Sequence, residues 1–586
     1  MPAYFLRITI FACFILTFLP DHLVSAADAS MTITAQYRQD VPVTLDIAEA
    51  SEISTLDPAV ATDMVSIAPI ENLFLGLTDF DPATNTIEPE LATNWTISAD
   101  GLTWTFILRN DVMWRRYDPL TQTATSIRPV VASDFVYGIK RACDPRLTGY
   151  YGMAVGARVI AGCDVINGMA MDTATDELVY GDTTQVTAPN DTTLVVILRE
   201  PASYFLSMTT MPILRPVPQE AIETYGDNWT LPGNIVTNGS YFVQEIFRGV
   251  RRIFVRNTSL PDDLRGNGNI EIINTTMIED PSITYALYMH DQLDYSPVPP
   301  PERELILNDE TLLSEVRQIS DETVFYFAFG YDKPPFDNVH VRRAFSAIID
   351  RQTLIDVTWR VHGIPMIHFT PPNMFGAPPI DEIGVGFNPE YARKEMILAG
   401  YPECAGFPAI DVVYSQGTGE WVELWFRAAV QHLGCDRRKW DADGLEFSVI
   451  NDPSLPTPTY NKIHSITSSW NRSSAGFYPD AHYWLADALR CGEDFIMRPC
   501  TATDDLIDQA ARETDPAIRA DLYRQIEEAF FGPDGEFPVA PLYLRANYVL
   551  VKSWYTGPFE TDTRFGVHWE AYSIDMAAKL AARAAQ

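Results

Sequence analysis

The sequence predicts an α/β protein of two or three domains, on three observations. The chain has 586 residues, beyond the size at which a single core keeps growing. Strand-like alternation and helix-like periodicity are interleaved along it rather than segregated. Composition is that of an ordinary globular protein, 46% hydrophobic and 20% charged, so ordered cores are expected over most of its length.

In chain order, MPAYFLRITIFACFILTFLPDHLVSA comes first, with Arg7 ahead of an apolar run from Ile8 to Leu19 and Val24-Ser25-Ala26 as a small-residue cleavage context. Residues 1–26 therefore read as a secretory signal peptide, the run being too short to span a bilayer. VPVTLDIAEA reads as a buried strand, followed by a loop at Leu56-Asp57-Pro58 and an apolar segment from Ile67 to Leu77. GLTWTFILRN alternates as a strand over Thr103 to Leu108, and TTLVVILR, 192–199, supplies another. ASDFVYGIKRACDP predicts a helix capped by Ser133 or Asp134, with Phe135, Ile139 and Ala142 on one side. SYFVQEI and RRIFVRN return to strand patterning.

Three further helices are well punctuated. In PPFDNVHVRRAFSAIID, Pro334 and Pro335 exclude helix before them, Asp337 or Asn338 can cap, and Val341, Ala344, Phe345 and Ile348 share a face. Asn388-Pro389-Glu390 opens the second, which Gly400 closes. Thr514-Asp515-Pro516 opens the third, with Ile518, Leu522, Ile526 and Phe530 as its apolar stripe. VAPLYLRANYVLV then reads as a strand.

Charge and motifs exclude several functions. The net charge is −36, unchanged by loss of residues 1–26, which carry only Arg7 and Asp21; it disfavours nucleic acid and anionic membranes as partners. Six cysteines remain after that cleavage: Cys143, Cys163, Cys404, Cys435, Cys491 and Cys500. An even count in an exported chain favours disulfides; nearest-neighbour pairing would close three short loops, but six cysteines allow fifteen connectivities. HExxH, GxSxG, Walker A, GxGxxG and EF-hand patterns are all absent, and the histidines are scattered singly. Neither enzymatic activity, a cofactor nor a metal site is expected. Aromatic residues make up 12% of the chain, and two clusters fall in loop-like stretches: Tyr150 and Tyr151 in RLTGYYGMAVGA, and Trp470 and Tyr478 in SSWNRSSAGFYPDAHYW.

Eight stretches, taken together and in order, carry a family resemblance. They include STLDPAVATD, EPELATNWTISADGLTWTFILRNDVMW, NIVTNGSYFV, KPPFDNVHVRRAFSAIIDRQTLI and SSWNRSSAGFYPDAHYW, and span roughly 45–550. The chain resembles the extracellular solute-binding proteins of the peptide/nickel/opine type, family 5, that serve ABC importers. The resemblance implies a two-lobed periplasmic-binding-protein (Venus-flytrap) fold with an additional third domain. Its parts would be lobe I at 27–76, 215–297 and 540–586, the additional domain at 77–214, and lobe II at 298–539. It further implies an exported monomer, periplasmic or on the cell surface, that captures a peptide or similar small organic solute and delivers it to ABC permease subunits.

Ligand contacts are expected from Thr62 and Asp63 after the first strand, from Tyr150 and Tyr151, and from Trp470, Asn471, Arg472 and Asp480. Peptide-binding members place an Asp shortly after the Trp of the late loop to meet an α-ammonium. Here Gly476 and Phe477 stand near that place and Asp480 is the first carboxylate, while Arg472 could meet an anion. Two alternatives stand beside this reading: a secreted hydrolase, which turnover would reveal, and a binding module repurposed as a chemosensory or surface protein.

Overall fold

Thr44–Glu49 forms a strand, and Thr103–Leu108 buries Trp104, Phe106 and Leu108 on alternate positions, as a half-buried strand must. The computed structural model describes residues 41–147, 159–359, 363–414, 419–435, 445–449, 466–473, 478–492, 496, 498–559, 561 and 568–585. All features below belong to the compact unit Val43–Gln586; the other unit, Met1–Pro42, lies almost wholly outside the described residues.

Three larger sheets organise the chain. In the first, Thr44–Glu49 pairs in parallel with Ile272–Met277, which continues antiparallel to Arg251–Arg256 and then Tyr241–Phe247. The second is antiparallel in the order Ala92–Ile97, Thr103–Leu108, Thr193–Ile197, Val186–Asn190. The third has seven strands and is built around two long ones, Val316–Phe329 and Val539–Val551. Tyr295–Pro297 and Gly363–Pro365 join Val539–Val551. On the other side Ile466–Ser473 joins Val316–Phe329, followed in parallel by Ile410–Tyr414 and Leu445–Val449.

The two long strands change surroundings midway. Val316–Ser320 pairs with Leu550–Ala546, the ladder breaks between Ser320 and Val324, and pairing resumes from Val324↔Leu544 to Ala328↔Val539. Within the break Glu322 takes φ 57°, a left-handed conformation uncommon outside glycine. One end of the pair lies with the first sheet: Asp294, just before Tyr295–Pro297, accepts from the amide of Asp46 at 2.8 Å and from Trp554 Nε1 at 2.8 Å. The helix Met576–Ala584 closes that end, its fully buried Lys579 contacting Asp46 at 2.8 Å and Asp294.

Helix punctuation follows the sequence with two corrections. Asn338 caps Val339–Ala347, accepting from the His340 amide at 2.9 Å, and Val341, Ala344, Phe345 and Ile348 are all buried. Asn388 and Asp515 cap Pro389–Leu398 and Pro516–Phe531. The first correction concerns Ala132–Ala142, which starts before Ser133 and Asp134, with Val131 at the cap position. Asp134 instead accepts from the Val131 amide at 2.9 Å while holding Trp114 Nε1 at 2.9 Å and Arg128 at 2.7 Å, so its carboxylate sits inside the first turn. The second concerns Ile518, which is 52% exposed although Leu522, Ile526 and Phe530 are buried. Arg519 occupies the inward position of that turn, where it is paired to a buried carboxylate.

One glycine is required by close approach. The amides of Asn238 and Gly239 donate to the Leu73 carbonyl at 3.3 and 2.9 Å, and a Cβ on Gly239 would lie 2.5 Å from the Leu73 carbonyl carbon. Disulfides join Cys143–Cys163, Cys404–Cys435 and Cys491–Cys500, the nearest-neighbour pattern.

Candidate functional site

The loop after Thr44–Glu49 is fixed by Asp57, which sits in the Leu56-Asp57-Pro58 turn and caps it through the Ala59 amide at 3.0 Å. Its two carboxylate oxygens face Arg141 at 2.7 and 2.6 Å, and Trp229 Nε1 donates to it at 3.2 Å. Burial alone would lower the Arg141 pKa; Asp57 more than offsets it and keeps the guanidinium charged. Around this pair lies a cavity of about 400 Å³ lined by Thr55, Tyr137, Arg141, Tyr180 and Trp229 among others. Tyr137 and Tyr180 stack there with centroids 5.1 Å apart. Arg146 and Leu147 also line it; Tyr150 and Tyr151 lie outside the described residues.

Thr62 and Asp63 follow this loop. Thr62 is exposed, while Asp63 caps Met64–Leu73 through the Ser66 amide at 2.8 Å and accepts from the hydroxyls of Ser54 and Ser66 at 2.5 and 2.9 Å. Its carboxylate thus holds the loop to the helix.

Trp470, Asn471 and Arg472 lie together in Ile466–Ser473, in register with Tyr326, Phe325 and Val324 of the first long strand. They therefore stand opposite the part of Val316–Phe329 that follows the break in the ladder. Asp480 lies apart from them in role. It is fully buried, caps Ala481–Leu489 through the His482 amide at 3.0 Å, and pairs with Arg519 at 3.2 Å and Ser207 Oγ at 3.3 Å. Arg519 also donates to Ser203 Oγ at 3.3 Å and packs 4.1 Å over the Phe375 ring.

Next to Asp480, Tyr478 donates to Asp487 at 3.1 Å and meets His482 Nδ1 at 2.9 Å. Burial pushes its phenol well above the usual value, with Asp487 adding to the effect. Tyr204 stacks on His482 with centroids 3.6 Å apart, and a cavity of about 210 Å³ opens there between Arg199, Tyr204, His482, Asp487 and Arg490. This seam and the Asp57–Arg141–Trp229 cluster escaped the sequence reading. The second had a signal in the LDP turn and the ASDFVYGIKRACDP helix; the first joins residues 273 positions apart and had none.

The sequence profile of the bacterial extracellular solute-binding proteins, family 5 (middle region), matches residues 86–424, more than half of the chain. The chain belongs to this family. Among curated relatives, family 5 similarity extends to the periplasmic oligopeptide-binding protein OppA of Escherichia coli, 26% identical and covering 90% of this chain and 93% of the relative. The probable deoxycholate-binding periplasmic protein YgiS of the same organism is also 26% identical, over 89% and 93%. Among solved structures, the unliganded open form of the periplasmic murein tripeptide-binding protein MppA superposes with a TM-score of 0.75 at 23% identity, covering 91% of this chain and 97% of that one. The fold is accordingly the α/β periplasmic-binding-protein type of family 5. Among the described residues no helix is long and apolar enough to cross a membrane.

Proposed function

We propose that this chain is the exported, monomeric solute-capturing component of an ABC importer, closing two lobes over an organic solute and presenting the closed form to permease subunits. The observation that carries the reading is the pair of long strands interrupted at Ser320/Val324, in a chain of a solute-binding family. A ladder broken at its middle can bend there while both ends stay paired. The proposed lobe boundaries, 297/298 and 539/540, stand at the end of Tyr295–Pro297 and at the start of Val539–Val551 rather than at the break itself. Ligand lowers the free energy of the closed form only by contacts that the open form lacks. Those contacts are assigned to Thr62, Asp63, Tyr150 and Tyr151 on one wall and to Trp470, Asn471 and Arg472 on the other. Asp480, already paired to Arg519, is assigned to holding that second wall in place.

A peptide is the first ligand class, on the similarity to OppA. YgiS, equally similar, favours a second class: an amphipathic carboxylate such as a bile acid, which needs no anionic partner for an ammonium. Calorimetry with tri- to pentapeptides and with deoxycholate separates the two. Binding of one class, with a smaller radius of gyration in the complex, is the expected result; turnover of a peptide by pure protein would replace capture with hydrolysis.

A further inference from the structure

Another buried cluster, which begins on the helix that Asp63 caps, has no part in the proposed solute capture. Glu71 projects from Met64–Leu73, Asp79 from the strand Thr78–Phe80, Glu90 follows the strand Ile87–Pro89, and His568 precedes the turn Trp569–Ala571. His568 Nε2 stands 3.5 Å from Asp79 Oδ1 and 3.8 Å from Glu71 Oε1, and one donor atom from each of the three residues falls within 4.8 Å of the others. Arg215, fully buried, holds Glu71 Oε1 and the Phe74 carbonyl. Glu71 Oε2 is left without a hydrogen-bond partner, in a residue only 5% exposed. Such an oxygen is costly to bury unless something occupies it.

Formal charge points the same way. Glu71, Asp79 and Glu90 face the Arg215 guanidinium and the His568 imidazole; with all three carboxylates ionised and the imidazole neutral, as a metal ligand must be, the pocket is two charges short of neutral, which one divalent cation would supply. Two carboxylates and an imidazole form a donor set suited to zinc and its first-row neighbours. A tetrahedral centre with bonds of ~2.1 Å spaces its donors about 3.4 Å apart, close to the two separations that His568 makes here. Asp79, with 20% of its side chain exposed, gives the route in.

We propose that Glu71, Asp79 and His568 form a structural divalent-metal site of the zinc class, with Arg215 orienting Glu71. The ion would tie together a helix, a strand and a turn contributed by residues some 500 positions apart. Sequence spacing could not reveal it, since no two ligands belong to one motif. The competing occupancy is protons, since burial and the neighbouring carboxylates both raise the Glu71 and Glu90 carboxyls.

The test uses untagged protein stripped with chelator, titrated with Zn²⁺ alone by calorimetry and analysed for bound metal, with and without saturating peptide. One Zn²⁺ per chain, a raised Tm, and at least tenfold weaker binding in Glu71→Gln and His568→Ala are expected, with the exposed His432→Ala unchanged. Asp79→Asn, at the partly exposed position, serves if the buried variants fail to fold. No stoichiometric binding, or binding that these substitutions leave intact, overturns the site. An anomalous zinc peak elsewhere in a soaked crystal would also overturn it. Solute capture is read separately from peptide affinity, so either reading can fail alone.

Discussion

Asp57 and Arg141 meet through two short contacts in a nearly dry setting, so neither can lose its partner cheaply. Asp57→Asn is expected to destabilise the fold by roughly 3–5 kcal/mol, because a charged guanidinium is left buried and unpaired; urea unfolding followed by tryptophan fluorescence measures it. Asp480→Asn should behave alike, exposing Arg519, and its damage should appear in stability before affinity. Trp470→Ala is expected to do the reverse: the unfolding midpoint holds while solute affinity falls by more than tenfold in calorimetry. An unchanged affinity would remove Trp470 from the binding wall. The carboxylate of Asp480 illustrates why side-chain roles are hard to read from a string of letters. Its partners, Ser207 and Arg519, are long-range, and nothing in YPDAHYW announces that the acid turns inward.

Elements were far more legible than sites. Caps and periodicity located Val339–Ala347, Pro389–Leu398 and Pro516–Phe531 because the signals for each lie within a few residues of its ends. Ile518 broke its stripe because apolar spacing says which residues share a face but not where the neighbouring layer stops. The same helix carries Glu527, fully buried, which accepts the Thr370 amide at 2.7 Å and faces His368 at 3.6 Å. Burial pushes this carboxyl up, and His368 with the Thr370 amide more than offsets it, so the folded pKa lies below the ordinary 4.5. A depressed carboxylate contributes stability above its unfolded pKa and loses it as pH falls through the folded value. Wild-type Tm should therefore drop steeply below about pH 4.5, and Glu527→Gln should flatten that acid limb while lowering Tm at neutrality. A second element-level outcome concerns Cys143–Cys163, which closes a loop of separation 20. Replacing both cysteines by serine should cost about 3 kcal/mol by loop-closure entropy, read as a lower Cm without loss of secondary structure.

At the scale of the molecule, three disulfides each close a local loop, and none joins the two ends of the long-strand pair. Bending at Ser320/Val324 is thus unopposed by covalent cross-links among the described residues. Small-angle scattering should register closure as a reduced radius of gyration when the right solute is added, and thiol reductant should leave that change in place. A fourth, engineered bridge spanning the break should instead abolish it. The net charge of −36 keeps such molecules apart in solution and should let those measurements be made at high concentration.

Lys579 sets an order of manufacture. The carboxylates of Asp46, in Thr44–Glu49, and Asp294 find their buried ammonium only in the helix Met576–Ala584, which is made later in the chain than both. At ~5–20 residues per second, roughly half a minute to two minutes separate the synthesis of Asp46 from that of the helix. Through that interval the nascent chain holds first Asp46 and then Asp294 without their counterion, so this end of the sheet cannot close until that helix is made.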